Sequence, residues 1–180
     1  MQLRRLIALA MAVTILFVQE QLLTFIPNVQ FTTVLILVFA SIFSYREMLA
    51  LILVYVFLDN LIMSGLNPLI MTPMFLAWFV VLTLYYGPLK QTKNETMLAL
   101  FGIVIGVLYG WMFVPFAMLQ TGITELWPYI MADLPFQIIM AVSNFVTIIW
   151  LYAPLQHRMQ QEMMRLDARM TLTGQPISKI

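Results

Sequence analysis

The sequence lacks cysteine and contains a single histidine, His157, among 180 residues. Disulfides, thiolate metal sites and cysteine nucleophiles are therefore excluded, and one histidine cannot build a metal site alone. Charged residues are also scarce, at 9% of the chain against about 25% in an ordinary soluble protein. The net charge is +1, with no basic block of the kind that binds nucleic acid. We therefore expect no metal, no cofactor and no nucleic-acid partner.

Apolar residues make up 62% of the chain. A soluble fold of this size could not hide so much apolar surface behind so few charges, so the surrounding solvent must be lipid. The apolar runs are continuous rather than alternating with polar residues, which favours membrane-spanning helices over a barrel. Six spans of about 20 residues each would use about 120 residues and leave only short loops. The sequence predicts an all-α, multi-pass membrane protein without a soluble catalytic domain.

Prolines, glycines and charges divide residues 1–153 into six predicted transmembrane helices. They run from about Leu3 to Phe25, Asn28 to Phe43, Glu47 to Ser64, Thr72 to Leu89, Thr96 to Gln120 and Tyr129 to Tyr152. The first segment resembles a signal peptide, but Gln19-Glu20-Gln21 follows its apolar run without an A-x-A cleavage pattern. We interpret it as a retained helix, which ends at Ile26-Pro27 because the residue before proline is pushed out of the α region.

Residues 154–180 have a different pattern. Apolar side chains recur at helical spacing in Leu155, Met159, Met163, Leu166 and Met170, and charged side chains form a second stripe in Arg158, Glu162, Arg165 and Arg169. This pattern is typical of an amphipathic helix lying on a membrane surface or on a partner. The alternative is a solvated end of the sixth helix. We treat the segment as a cytoplasmic tail.

Basic residues set the predicted orientation, because lysine and arginine concentrate in cytoplasmic loops. With a cytoplasmic N-terminus and six crossings, every one of the nine cations falls on the cytoplasmic side. These are Arg4, Arg5, Arg46, Lys90, Lys93, Arg158, Arg165, Arg169 and Lys179. A missed helix would scramble this pattern, so it supports both the helix number and two cytoplasmic termini.

Four acidic residues fall outside or in the outer half of the bilayer in this topology: Glu20, Asp59, Glu125 and Asp133. Asp59 lies roughly 20 Å along its helix from Arg46, at about 1.5 Å per residue. Ionisable groups at such depth usually face a cavity or a polar partner. Since no lysine or arginine is predicted on the outer side, these carboxyl groups must be protonated, bonded to hydroxyls and amides, or waiting for a ligand.

Polar residues on the sixth helix extend this outer region. Asp133, Gln137, Asn144 and Thr147 form one stripe, which in lipid must turn towards other helices. The stripe predicts either ligand contacts or interhelical hydrogen bonds. Further candidates around the same region are Asn60, Asn67, Trp78, Trp111, Gln120 and Trp127. Each tryptophan taken singly is also an ordinary membrane-interface anchor.

Small residues predict close helix packing at two places. The fifth helix carries Gly102, Gly106 and Gly110 at four-residue steps, and the first carries Ala8 and Ala12. The sequence contains no G-x-x-x-x-G-K-[ST] phosphate loop. If the protein performs uphill transport, another chain must supply ATP hydrolysis.

The chain resembles the substrate-binding S components of bacterial energy-coupling factor vitamin transporters. The resemblance covers about Leu3 to Tyr152. It rests on the six short helices, on Ala8-x-x-x-Ala12, and on Ile26-Pro27-Asn28-Val29-Gln30, which is similar to a P-N-V-Q stretch opening the second helix in many S components. Arg46 stands where the family often has a G-P-R turn, but here Ser44-Tyr45 precedes it.

The resemblance implies a non-enzymatic importer subunit in the bacterial cell membrane. Ala8 and Ala12 would dock on a transmembrane scaffold, which two ATPase subunits would complete. The vitamin would bind near the outer face, under the loops after helices one, three and five. The subunit would then topple in the membrane to release it. Within the family, the cobalamin-specific S component is the closest likeness.

Candidate ligand-binding residues are Asn28, Gln30, Asp59, Asn67, Trp78, Trp111, Trp127, Asp133, Gln137 and Asn144. Without an outer cation to pair a carboxylate, they favour a neutral or cationic vitamin over folate, pantothenate or biotin. Cobalamin, rich in neutral amides, is preferred, and riboflavin, thiamin or a queuosine precursor are alternatives. Two other classes are a membrane enzyme using Glu20, Asp59 or Asp133, for which no carboxylate pair at helical spacing exists, and a non-transport assembly subunit.

Overall fold

A computed structural model of the protein describes residues 3–90, 92 and 94–172, with side-chain surroundings as far as residue 165. The described chain is all-helical and contains no strand. Its six α-helices are α1 (Leu3–Leu23), α2 (Thr32–Ala40), α3 (Tyr45–Met63), α4 (Pro68–Leu84), α5 (Glu95–Thr121) and α6 (Leu126–Leu172), with a π-helical turn at Tyr85–Leu89 after α4. The predicted all-α architecture is confirmed for this part of the chain.

Four helical segments are long and apolar enough to cross a membrane: Leu3–Leu23, Pro68–Leu89, Glu95–Thr121 and Leu126–Arg165. Most of their side chains do not pack inside the protein, since only 28% to 39% of each apolar stretch is buried. Such apolar exposed faces need lipid around them. The protein is therefore a membrane-embedded, multi-pass, all-α protein.

The second helix is shorter than predicted. It begins at Thr32 rather than Asn28, because Asn28 adopts a left-handed backbone conformation with φ of 60° that no α-helix accepts. Its nine residues rise about 13.5 Å, less than half of the roughly 30 Å hydrocarbon core of a bilayer. Eight of the nine residues are buried. An apolar helix buried on every side is a core element of the bundle.

The helices pack as a chain of neighbours with α2 inside. With α2 left aside, each helix packs on the next: α1 on α3, α3 on α4, α4 on α5 and α5 on α6. The α2 helix contacts α1, α3, α5 and α6. The α5–α6 contact is the most extensive. The predicted glycine stripe mediates it: a Cβ at Gly102 would lie 2.5 Å from Ile148, one at Gly106 would lie 2.9 Å from the Ala141 backbone, and one at Gly110 would lie 2.9 Å from Gln137. The prediction of close packing through this stripe is confirmed.

The sixth helix continues well past its predicted end at Tyr152. It runs through Pro154 without interruption and includes the first part of the predicted tail. Leu155, Met159 and Met163 pack against the hydrophobic core of this chain, whereas Arg158 and Arg165 are exposed. The described part of the apolar stripe therefore contacts the bundle itself. The side chains of Leu166, Arg169 and Met170, and all of residues 173–180, lie outside the described part of the chain.

Several charged and aromatic contacts collect at one end of the bundle, which we call the basic end. The guanidinium of Arg5 on α1 pairs with the Glu47 carboxylate on α3, with Nε 2.9 Å from Oε1. Glu47 also accepts from the backbone and hydroxyl of Ser44 and so caps α3. The Tyr86 hydroxyl donates to the Phe43 carbonyl at 2.7 Å. The N-termini of α1 and α3 therefore lie beside the junction that follows α4.

Candidate ligand-binding site

Glu20 is the centre of a polar cluster at the end of the bundle opposite the basic end. It lies in the last turn of α1, and Thr32 opens the neighbouring α2. Its Oε2 accepts hydrogen bonds from the Thr32 hydroxyl, from the Tyr55 hydroxyl at 3.1 Å and from Gln19 Nε2 at 3.2 Å. With the Gln30 amide oriented by its hydrogen-bonding pattern, its nitrogen donates to Glu20 Oε1 at 2.9 Å. Four side chains from three parts of the chain thus converge on one carboxylate.

The cluster fastens the start of α2 to α1. Gln19 donates to the Thr32 hydroxyl at 2.6 Å and accepts from the Phe31 backbone N–H at 3.0 Å. The bond from Phe31 satisfies a backbone donor at the start of α2, where such donors have no partner within the helix. The sequence's Asn28–Gln30 segment is held above this cluster by the Gln30 bond to Glu20.

Asp59 on α3 supplies a second carboxyl group to the same region. In the described chain it accepts a hydrogen bond from Gln21 Nε2 at 3.2 Å and interacts electrostatically with Glu20. Among the described residues, no group bonded to Glu20 or Asp59 is an arginine or a lysine. The Glu20–Asp59 pair has no helical spacing in the sequence, because α1–α3 packing brings together two residues on different helices.

Aromatic side chains of α4 and α5 border the two carboxyl groups. Tyr109 on α5 is close enough to both Glu20 and Asp59 to interact with them electrostatically. Its ring contacts Trp78 on α4 with ring centroids 5.4 Å apart, and Phe113 with centroids 5.0 Å apart. Trp78 is 0% exposed, and its indole Nε1 has no hydrogen-bond partner. A buried donor without a partner is uncommon and requires an explanation.

The polar stripe on α6 faces α5 rather than this cluster. Asn144 is 0% exposed and donates to the Gly102 carbonyl at 3.1 Å, and Thr147 donates to the Ser143 carbonyl of its own helix. Gln137 donates to the Asp133 carboxylate at 2.8 Å. Of the two interpretations left open by the sequence, interhelical hydrogen bonding describes Asn144. The Asn144 Oδ1 atom has no partner among the described residues.

Trp111 and Trp127 belong to a separate feature, an apolar groove between α5 and α6. The groove has a volume of about 930 Å³, and of the polar candidates only Gln137 reaches its lining. Both tryptophans are highly exposed, at 60% and 67%. In a membrane-spanning helix pair, exposed indoles of this kind are ordinary interface anchors.

The other candidates have local roles. Asn67 caps α4, since its side chain accepts from the Leu69 backbone N–H at 3.0 Å. This cap lets α4 begin at Pro68, before the predicted Thr72, because proline is well accommodated at the first helical position. Asn60 is buried and bonds to Val56, Met74 and Ser64. Ala8 and Ala12, the expected docking face, are 8% and 1% exposed and belong to the core of this chain.

The candidate residues predicted from the sequence thus lie in two separate regions of the structure. Asp59, Gln30 and Trp78 lie at or beside the Glu20 cluster, whereas Asp133, Gln137, Trp111 and Trp127 lie along α5 and α6. The ligand-binding residues predicted from the sequence did not include Gln19, Glu20, Thr32, Tyr55 or Tyr109. The predicted depth of Glu20 in the membrane was a signal that could have identified it. Nothing in the sequence distinguishes Tyr55 and Tyr109 from the other tyrosines that lie within apolar stretches. Within the described residues, no three histidine, aspartate or glutamate side chains group as metal ligands.

No protein-family model, curated protein or solved structure matches the chain.

Proposed function

We propose that the protein is a membrane-embedded vitamin-binding subunit of an energy-coupling-factor-type importer, with cobalamin as the preferred ligand. The observation that carries the proposal is the Glu20–Asp59 pair, two carboxyl groups at one end of an apolar bundle with donors but no described cation beside them. Burying charge in an apolar surrounding is costly, so such groups are usually functional in membrane proteins. The family resemblance supplies the transport role.

The ligand's chemistry follows from the same charges. A carboxylate ligand placed beside Glu20 and Asp59 would add a third negative charge without a counter-charge. A ligand that presents neutral amides, hydroxyls or a positive group would instead find acceptors. Cobalamin meets this requirement, as do riboflavin, thiamin and a queuosine precursor. Folate, pantothenate and biotin do not.

Energy and partners come from other chains in this proposal. The sequence has no phosphate-binding loop, so a transmembrane scaffold and two ATPase subunits would drive uptake. The resemblance assigns docking to Ala8 and Ala12. Both are buried in this conformation, so a scaffold that contacts them requires α1 to shift away from its neighbours. Membrane lipid covers the remaining exposed apolar faces.

We also propose six crossings with both termini in the cytoplasm of a bacterial cell. The Arg5–Glu47 pair supports this topology, because it joins the N-termini of α1 and α3 at one end. The Tyr86–Phe43 bond brings the segment after α2 to the end of α4, at that same end. The chain between α1 and α3 must therefore return across the bundle. Because the nine residues of α2 are too short to span the membrane, the non-helical segments flanking α2 cover the remaining distance.

An assembly subunit without a ligand is the second candidate. The saturation of Glu20 by hydrogen-bond donors favours it, since a complete network of this kind can stabilise a bundle without binding anything. The two candidates differ in what accompanies the purified protein.

The deciding experiment is mass spectrometry of the full-length protein, purified in mild detergent from the cells that naturally produce it. We expect a retained vitamin and co-purifying scaffold and ATPase subunits. Partner proteins without any small molecule would favour the assembly subunit. The absence of both a vitamin and ATPase subunits would refute the importer proposal.

A further inference from the structure

Glu20 and Asp59 differ in how completely their oxygens are bonded. Glu20 accepts from four side chains, Gln19, Gln30, Thr32 and Tyr55. In the described chain Asp59 accepts from Gln21, at the long distance of 3.2 Å. An ionised carboxylate offers about four acceptor positions. Glu20 is therefore a saturated structural centre, whereas Asp59 retains acceptor capacity.

Asp59 is also accessible, being only half-buried. Its interaction with the nearby Glu20 carboxyl group is repulsive when both are ionised. A hydrogen-bond donor or a positive charge placed on Asp59 would relieve this repulsion, and its effect would be greater in this apolar surrounding than in water. An anion would increase the repulsion.

A second feature near Asp59 is a row of aromatic side chains, of which Tyr109 is partly exposed. Trp78 is fully buried and its Nε1 donor is unpaired. Its ring contacts Tyr109, which interacts electrostatically with Asp59. The rings of Trp78, Tyr109 and Phe113 form a contiguous aromatic row. Aromatic faces attract positively charged and N–H groups and pack against flat rings.

We infer that Asp59 binds a nitrogen-donor group of the ligand, an amide or a positively charged amine, while the partly exposed Tyr109 contacts the adjacent part of the ligand and the buried Trp78 supports the Tyr109 ring. The inference rests on the proposed function and makes Asp59 the residue that selects the ligand's charge. Glu20 does not contact the ligand in this assignment; it positions the segment that leads into α2 through its bonds to Gln30 and Thr32. The free acceptor capacity of Asp59 matches amide-rich and aminated ligands, and the two neighbouring carboxyl groups exclude carboxylates.

Calorimetry on the full-length protein in detergent micelles tests this assignment. The probes are cobalamin, thiamin, riboflavin, the aminated queuosine precursor and pantothenate. We expect one of the first four to bind and pantothenate not to bind. Asp59→Asn should weaken the bound probe by about 10- to 100-fold, since a hydrogen bond to a charged group is worth more than one to its neutral isostere. Tyr109→Phe, which removes only a hydroxyl, should weaken it less.

Glu125→Gln is the matched control, because Glu125 is an exposed carboxylate in the α5–α6 connection and outside the cluster. It should leave affinity within about threefold. Asp59→Asn retains an acceptor for Gln21, and its thermal unfolding in the same detergent should match that of the control. A probe that binds equally well to wild type and Asp59→Asn would overturn the inference while vitamin binding stands. Binding of pantothenate alone would also overturn it. If none of the five probes binds, the proposed function fails and the inference fails with it.

Discussion

The hydroxyl of Tyr55 donates a hydrogen bond to the carboxylate of Glu20, 3.1 Å away, and so joins α3 to α1. Tyr55 is 1% exposed and Thr32, a second donor to the same oxygen, is 0% exposed. Neither hydroxyl can turn to water if the carboxylate is lost. Glu20 thus joins three helices through two buried hydroxyl groups.

Glu20→Ala should therefore destabilise the protein strongly. Each buried donor left unpaired costs about 1–3 kcal/mol, so for the two buried hydroxyls we expect a loss of about 2–6 kcal/mol in the free energy of unfolding. Glu20→Gln, which keeps one acceptor oxygen, should lose less. Titration of micelle-embedded protein with a denaturing detergent, followed by circular dichroism, measures the difference. Glu125→Ala is the control, and equal stability of Glu20→Ala and this control would show that the cluster contributes nothing to folding.

Close α5–α6 packing gives a second prediction. A Cβ at Gly106 would lie 2.9 Å from the Cα and N atoms of Ala141, and backbone atoms cannot move aside as a flexible side chain can. Gly106→Ala should force the helices apart and cost about 1–3 kcal/mol. Gly87→Ala is its matched control, because a Cβ there meets nothing within 4 Å. The same unfolding titration compares them, and a stable Gly106→Ala would mean that α5 and α6 are less tightly packed than described.

Helix positions could be predicted from the sequence because apolar runs and proline or glycine breaks are local signals. The length of α2 could not be predicted, because it depends on a contact with another helix. The left-handed backbone of Asn28 and the bond from Phe31 to the Gln19 side chain of α1 make α2 shorter than its apolar run. The continuation of α6 through Pro154 had the same cause: packing of Met159 and Met163 on the core outweighs a proline's helix-breaking tendency.

The candidate site was predicted only in part for a related reason. Spacing along one helix reveals stripes such as Asp133 and Gln137, whose side chains are hydrogen-bonded to each other in the structure. The Glu20–Asp59 pair lies between helices, and its formation depends on which faces of α1 and α3 meet. Apolar residues surround both faces, so periodicity contains no signal for the pairing.

The packed segment of α6 beyond Pro154 gives a third prediction. Met159 packs against the core, whereas Met164 on the same helix is 63% exposed. Met159→Ala should lower stability by about 1–2 kcal/mol, less than a fully buried methionine because its site is only partly buried. Met164→Ala should change stability by less than about 0.5 kcal/mol. Thermal unfolding in detergent distinguishes the two. Equal effects would indicate that this segment leaves the bundle in the membrane.

Topology can be tested directly because the chain has no native cysteine, so single introduced cysteines report their side of the membrane. Suitable exposed positions are Thr24, Ser44, Lys90, Glu125 and Gln160. With six crossings and cytoplasmic termini, a membrane-impermeant maleimide should label Thr24→Cys and Glu125→Cys in intact cells. Ser44→Cys, Lys90→Cys and Gln160→Cys should react only after the membrane is opened.

Ser44→Cys is the decisive variant. If only the four long helices crossed the membrane, the α2–α3 junction would stay on the same side as Thr24, and both cysteines would react in intact cells. The Arg5–Glu47 pair argues against that result, because Glu47 begins α3 beside the N-terminus of α1, and Arg46 would otherwise lie on the outer face. Labelling of Ser44→Cys in intact cells would refute six crossings, and a fully inverted pattern would refute the orientation while retaining the crossing number.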